Sequence, residues 1–315
     1  MRLIPDHYLQ INDLLIFNPL VKRNFKIVAL GDIHLSRLVD EKKLSPIKSQ
    51  LDKEKGDYIV FLGDLIDSPN ELNNPKQRNE LLSLIKTSSF IAPTMIILGN
   101  HDFIVEKRNY KGCDYQACLN EEFWNELASI DNVYLLINDT YCDDQVLFMG
   151  YFQTLEYYAD TLSPGKNDLK KFYNDFINHP KLFADSLNGL IKIGLIHSPE
   201  YAKLDLNVDL LKNYDLLLAG HNHDGCVPFG IGNFHRGIIN PKKELFPANV
   251  RGYRLLKNGT GLLISGGITK IQDCAPKLIH PLNHLCPMQM DTITFTNDQD
   301  KNSRTKRLIY AIKNK

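Results

Sequence analysis

"LLLAGHNHDG", residues 216–225, joins a continuous apolar run to a glycine and two histidines, His221 and His223. Turns are ordinarily built from Gly, Asn, Asp and Ser, so paired imidazoles at a strand end point to a ligand and away from a plain turn. The same grammar recurs upstream. "IVAL" is followed by "GDIH" (Asp32, His34), and "IVFL" by "GDLID" (Asp64, Asp67). "MIIL" is followed by "GNHD" (Asn100, His101, Asp102), and "IGLI" by His197 in "HSPE". Five apolar runs thus each end in a loop that opens with metal-competent side chains.

Unbroken apolar runs mark strands covered on both faces, the signature of parallel sheets. "KIVAL" (26–30), "DYIVFL" (57–62), "TMIIL" (94–98), "IKIGLI" (191–196), "YDLLLA" (214–219) and "GLLIS" (261–265) all read this way. Helical patterns alternate with them: "KLSPIKSQLDKEK", "NPKQRNELLSLIKTS", "NEEFWNELASI" and "NDLKKFYNDFI". That alternation predicts an α/β fold. "NVYLLIND" and "QVLFMGYF" alternate better and predict an antiparallel pair. No linker divides the chain, so residues 1–315 are expected to form one domain. Its motifs span 31–223, residues 103–190 elaborate it, and further strands fall in 255–315.

The composition excludes several classes. The 315 residues carry 37 Lys plus Arg against 37 Asp plus Glu. That balance weighs against a nucleic-acid binder, whose affinity rests on neutralising phosphates. The basic end, "KNSRTKRLIYAIKNK", is the local exception and is expected to flank a last strand, "LIYAI". No secretory signal and no apolar run near the ~20 residues of a membrane span is present, so a cytoplasmic location with reduced thiols is expected. Cys113, Cys118 and Cys142 are read as packed thiols.

Open α/β sheets bind ligands beyond the carboxyl ends of their strands, where loops distant in sequence converge. Five of the 10 histidines fall in these loops, which coincidence accounts for poorly. The ordered set D-x-H, G-D-x-x-D, G-N-H-[DE], an isolated His and G-H-x-H resembles the calcineurin-like metallophosphoesterase superfamily, in its bacterial phosphoesterase branch. Asp224 stands where that branch commonly has Gly. The resemblance implies two packed mixed β-sheets flanked by helices, a four-layer sandwich.

It also implies two divalent ions. Asp32, His34 and His223 would hold the first, and Asn100, His197 and His221 the second, with Asp64 bridging. Carboxylate, amide and imidazole together suit Mn, Fe or Zn better than Ca. A bridging hydroxide would attack phosphorus directly, so no nucleophilic Ser or Cys is required. His101 would face the leaving oxygen, with Asp67 holding its imidazole. Asp102 is expected to brace its loop by hydrogen bonds.

The implied activity is hydrolysis of a small-molecule or lipid-derived phosphodiester or monoester. A nuclease of the same superfamily and a non-catalytic scaffold are the alternatives. Arg236 and Arg251 are candidates for phosphate contact, with surface ion pairing the preferred reading. The aromatic stretch "YFQTLEYY" (151–158) either walls the cleft or packs a strand edge. No substrate-binding residue is assigned.

Overall fold

The structure is a computed structural model that describes residues 2–4, 9–36, 41–109, 112–161, 184–200, 211–226, 237–240, 245–273, 275–284 and 286–298. The first part of the chain runs β1 (Arg2–Ile4), β2 (Leu9–Phe17), β3 (Phe25–Leu30), α1 (Glu41–Glu54), β4 (Tyr58–Phe61), α2 (Pro75–Ile91) and β5 (Thr94–Ile96). A hairpin of β6 (Ile104–Asn109) and β7 (Gly112–Ala117) precedes α3 (Glu121–Ala128), β8 (Val133–Leu135), β9 (Thr140–Cys142), β10 (Val146–Gly150) and α4 (Leu155–Thr161). The remainder is β11 (Ile191–Ile196), β12 (Leu216–Ala219), β13 (Gly252–Leu255), β14 (Gly261–Ile264) and β15 (Met288–Thr296). The expected helix in "NDLKKFYNDFI" and the strand "LIYAI" lie outside the described residues.

Two mixed sheets form the centre. The first has the order β1-β2-β15-β3-β4-β5-β8, the second β13-β14-β12-β11-β10-β9. Within the first, β3, β4, β5 and β8 are mutually parallel. Within the second, β10, β11, β12 and β14 are parallel. Every residue of β4, β10, β12 and β14 is buried, as continuous apolar runs require.

The reason for burial is the layering. Inward residues of both sheets, among them Ile27, Val60, Met95, Phe148, Ile193 and Leu218, share one core. The outer face of the first sheet packs on α1, α2 and α3 through Leu44, Leu81, Ile85 and Trp124. The outer face of the second sheet is covered in part by Tyr157 of α4 with Leu211 and Tyr214. Helix, sheet, sheet, helix is the four-layer arrangement that the family resemblance implies. Among the described residues no helix is long and apolar enough to cross a membrane.

Two expectations fail. Cys118 and Cys142, read as packed thiols, are exposed, and the antiparallel pair does not form. "NVYLLIND" and "QVLFMGYF" do not pair with each other. β8 is the parallel edge of the first sheet beside β5, whereas β10 lies inside the second between β9 and β11. The chain crosses between sheets after Leu136, whose amide still donates to Ile96 at 2.8 Å. The apparent alternation belongs only to the half-exposed edge strand; β10 is buried throughout.

Candidate metal centre

Because the strands of each sheet that precede the motifs run parallel, their carboxyl ends lie on one side, and the five loops meet there. Their backbones are tightly specified. Asp32, His34, Asp64, His221 and His223 all take positive φ, between 46° and 71°. Asp and His tolerate this left-handed region better than most residues, yet it persists only where surroundings fix it. Those surroundings are hydrogen bonds between loops: Asp32 N–H to Gly63 O at 3.0 Å, His34 N–H to Asp64 O at 2.9 Å, and Gly220 N–H to His197 O at 2.9 Å.

Close approach explains the glycines before the motifs. A Cβ on Gly99 would stand 2.2 Å from Asp64 Oδ1, and one on Gly63 would stand 2.5 Å from Gly99 N. Asp102 secures the same crossing. Its carboxylate accepts the amides of Asp64, Leu65 and Gly99 at 2.8 Å each and that of Ile66 at 3.2 Å. It braces the loop, as expected.

Six of the seven candidate ligands, all but Asn100, divide into two groups. Asp32, His34, Asp64 and His223 offer atoms that lie within 4.8 Å of one another, and so do Asp64, His197 and His221. Asp64 is common to both. Its Oδ2 lies 3.4 Å from His34 Nε2 and 3.1 Å from His197 Nε2. His34 and His223 face each other through Nε2 at 3.2 Å, and His221 Nδ1 faces His197 Nε2 at 3.2 Å.

The tautomers follow from the outer nitrogens. Nδ1 of His34 donates to Asp67 Oδ1 at 3.1 Å. Nδ1 of His197 donates to Leu62 O, and Nδ1 of His223 to Thr269 O, both at 2.7 Å. Each therefore turns Nε2 toward the interior, the arrangement by which acceptors orient metal-binding histidines.

These residues fit a divalent ion. Asp64 Oδ2 and Asn100 Oδ1 are buried and accept no hydrogen bond, an expensive condition unless a cation is the partner. Two nitrogens about 2.1 Å from a common ion stand 3.2 Å apart when they subtend about 100°, which matches both facing pairs. Burial opposes charge on the imidazoles, but Asp64 and Asp67 carry His34 up to about 10, and Asp64 carries His197 up to about 9. Burial and His197 push His221 down to about 3.

His101 is placed differently. Its side chain is 23% exposed, whereas those of His34, Asp64 and His197 are fully buried. Its Nδ1 donates to the backbone carbonyl of Asp67 at 2.7 Å, and the Asp67 carboxylate is 3.9 Å away. The carboxylate expected to hold His101 is instead bonded to His34. Burial works against its ionisation, but His34 holds Asp67 below the usual carboxylate range.

Other candidates resolve as follows. Arg251 donates to buried Asp224 at 2.7 Å, so it forms an ion pair, while Arg236 lies outside the described residues. Of the aromatic stretch, Phe152 packs on Phe103 at 4.8 Å and Tyr158 sits 5.7 Å from the His221 ring. That stretch therefore reaches the site.

The loop after β14 was missed as part of the centre. Thr269 N–H donates to Asp32 O at 2.9 Å, Gln272 reaches His223 Nε2 at 2.7 Å, and Asp273 N–H donates to Asp67 Oδ2 at 3.2 Å. The signal was present: "LLISGGITKIQD" is again an apolar strand, glycine and then polar side chains.

A family model described as calcineurin-like phosphoesterase matches residues 25–225. An uncharacterised metallophosphoesterase of Campylobacter jejuni is 27% identical over 215 residues, which are 67% of this chain and 47% of that protein. The chain therefore spans about half the length of that relative. Another, from Aquifex aeolicus, is 24% identical over 244 residues, 77% of each chain. Among solved structures, a dimetal phosphatase from Danio rerio aligns with a TM-score of 0.44 and 11% identity, covering 79% of this chain and 88% of that one.

Proposed function

Because the chain belongs to the calcineurin-like phosphoesterase family, we propose that it is a dinuclear metal-dependent phosphoester hydrolase acting on a small-molecule or lipid-derived phosphodiester or monoester. The observation that carries this reading is Asp64 Oδ2, buried, without a hydrogen bond, and between the inward nitrogens of His34 and His197. One carboxylate common to two clusters is what a pair of ions requires. Asp32, His34 and His223 complete one cluster; Asn100, His197 and His221 complete the other. Mn, Fe and Zn are the ions that suit this donor set.

When bound, such ions supply Lewis acidity and water of lowered pKa for attack on phosphorus. The protein's own share is positional and acidic. Asp67, Leu62 and Thr269 fix the ligand imidazoles in one tautomer. His101, whose Nδ1 is engaged by the Asp67 carbonyl, keeps Nε2 for a proton donated to the departing oxygen. Asp67 contributes mainly by orienting His34.

Strands from both parts of the chain, β2, β3 and β15, interleave in one sheet, which supports reading residues 1–315 as one domain. A cytoplasmic setting belongs to the same reading, and a donor set without thiolates is compatible with it. Equal numbers of acidic and basic residues, 37 each, argue for a small substrate over nucleic acid.

The test is a substrate panel of phosphomonoesters, phosphodiesters, nucleotides, phospholipid head groups and a fluorescent oligonucleotide, each assayed with Mn, Fe, Zn, Mg and Ni. Metal-dependent turnover of a small ester supports the proposal. Turnover of the oligonucleotide alone would replace it with a nuclease, and no turnover of any ester with metal bound would refute it.

A further inference from the structure

His223 gives its Nδ1 hydrogen to the Thr269 carbonyl at 2.7 Å, so its Nε2 retains a lone pair turned into the cluster. Two groups meet that lone pair. His34 Nε2 is 3.2 Å away, and the side-chain amide of Gln272 is closer, at 2.7 Å. An amide N–H donates there only while the lone pair is free. A bound ion takes the lone pair, and an N–H directed at a cation is repelled.

The backbone around Gln272 cannot carry it away from this position. On one side Lys270 and Ile271 donate their amides to buried Asn283 Oδ1 at 3.1 and 2.8 Å. On the other, Asp273 donates to Asp67 Oδ2 at 3.2 Å. Further back, Thr269 is tied to Asp32 O by its amide and to Ile33 O by its hydroxyl at 2.7 Å. Lys270, itself buried, donates Nζ to the carbonyls of Gly266 and Gly267. The side chain retains its terminal torsion, and a half turn about it exchanges Nε2 for Oε1.

From this arrangement we infer that Gln272 is a further ligand, through Oε1, of the ion held by Asp32, His34, Asp64 and His223. The inference rests on the dinuclear reading and deepens it. Amide oxygens are ordinary ligands for hard and borderline divalent ions. A separation of 2.7 Å from a ligand nitrogen is that of neighbouring positions about one ion, at an angle of about 80° if both bonds are about 2.1 Å. Each cluster then has its own pair of imidazoles, the shared Asp64 and one amide, Asn100 on one side and Gln272 on the other, and the first has Asp32 besides. The ligand comes from outside residues 25–225, the segment that the family model matches.

The experiment is Mn²⁺ titration of the chelator-stripped full chain, read as free Mn²⁺ by electron paramagnetic resonance, for the parent, Gln272→Ala and Gln272→Glu. Thermal unfolding of each stripped protein reports whether it is folded. The parent should bind two equivalents. Gln272→Ala should weaken one equivalent about 10–100-fold, the range for lost metal-site support, and leave the other unchanged. Gln272→Glu should hold the weakened ion at least as tightly as the parent. If Gln272→Ala binds both ions as the parent does, or more tightly, Gln272 merely caps His223 and the inference is wrong. Should Gln272→Ala not fold, weaker binding by Gln272→Glu overturns it equally. A parent chain that binds fewer than two ions overturns the dinuclear reading, and the ligand assignment with it.

Discussion

Asp102 separates bracing from chemistry. It sits within the "GNHD" motif between His101 and the loop, fully buried, yet every contact its carboxylate is seen to make is with backbone amides. Oδ1 serves Leu65 and Ile66, while Oδ2 serves Asp64 and Gly99. Asp102→Asn keeps one oxygen and sets an NH₂ group against the other two donors. A buried donor left unsatisfied costs about 1–3 kcal/mol, so the substitution should cost about 2–6 kcal/mol. Against a total stability of about 5–15 kcal/mol that is a large fraction. At roughly 2–4 °C per kcal/mol for a large domain, Tm should fall by about 5–20 °C. Asp102→Ala abandons all four donors and should cost about twice as much. The assay is thermal unfolding of the stripped chain, followed by activity at a temperature where the variant remains folded. The reasoning fails if Asp102→Asn keeps the parent Tm while turnover disappears, for then the carboxylate acts on the substrate and does not hold the loop.

Asp64→Asn removes charge from the carboxylate common to both clusters, so elemental analysis should find both ions depleted together; two full equivalents in an active variant would exclude bridging. His101→Ala should retain both ions while kcat falls by roughly 10²–10⁴. That loss should be small for p-nitrophenyl esters and large for alkyl esters, and an equal loss for both would exclude a general acid. Asp67→Asn alters the partner of His34, so it should weaken one ion about 10–100-fold. Leaving-group dependence should stay intact in that variant, and a profile like that of His101→Ala would show that the carboxylate serves His101 after all.

The sequence was most legible where burial is symmetrical. β3, β4, β11, β12 and β14 are packed on both faces, so hydrophobicity alone marks them, and the glycine or histidine that soon follows each marks where it stops. Legibility was lower where polar groups enter the core. β2 and β15 carry Gln10, Asn12, Gln289 and Asp291, which are linked within the first sheet. Asn12 donates to Asp291 at 2.9 Å and to Gln289 at 3.3 Å. Those side chains break the apolar run without breaking the strand. The partner of Asp67 was illegible for another reason. His34 and His101 both approach that residue, one at its carboxylate and the other at its carbonyl, and sequence spacing does not distinguish main chain from side chain.

The position of β15 bears on the order in which the molecule can be assembled. This strand lies between β2 and β3, and Asp291 is in register with Asn12 on one side and Ala29 on the other. β2 and β3 cannot become neighbours of β15 until the whole stretch from Leu30 to Met288 has been made. At about 5–20 residues per second, the ribosome needs on the order of 10–50 s to advance from β3 to β15. Throughout that interval β2 and β3 each present an open hydrogen-bonding edge, the feature that invites pairing with other chains. The loop holding Thr269 and Gln272 emerges immediately before β15. Synthesis of the strand therefore follows closely on that of the loop whose Thr269 and Asp273 amides hold Asp32 and Asp67.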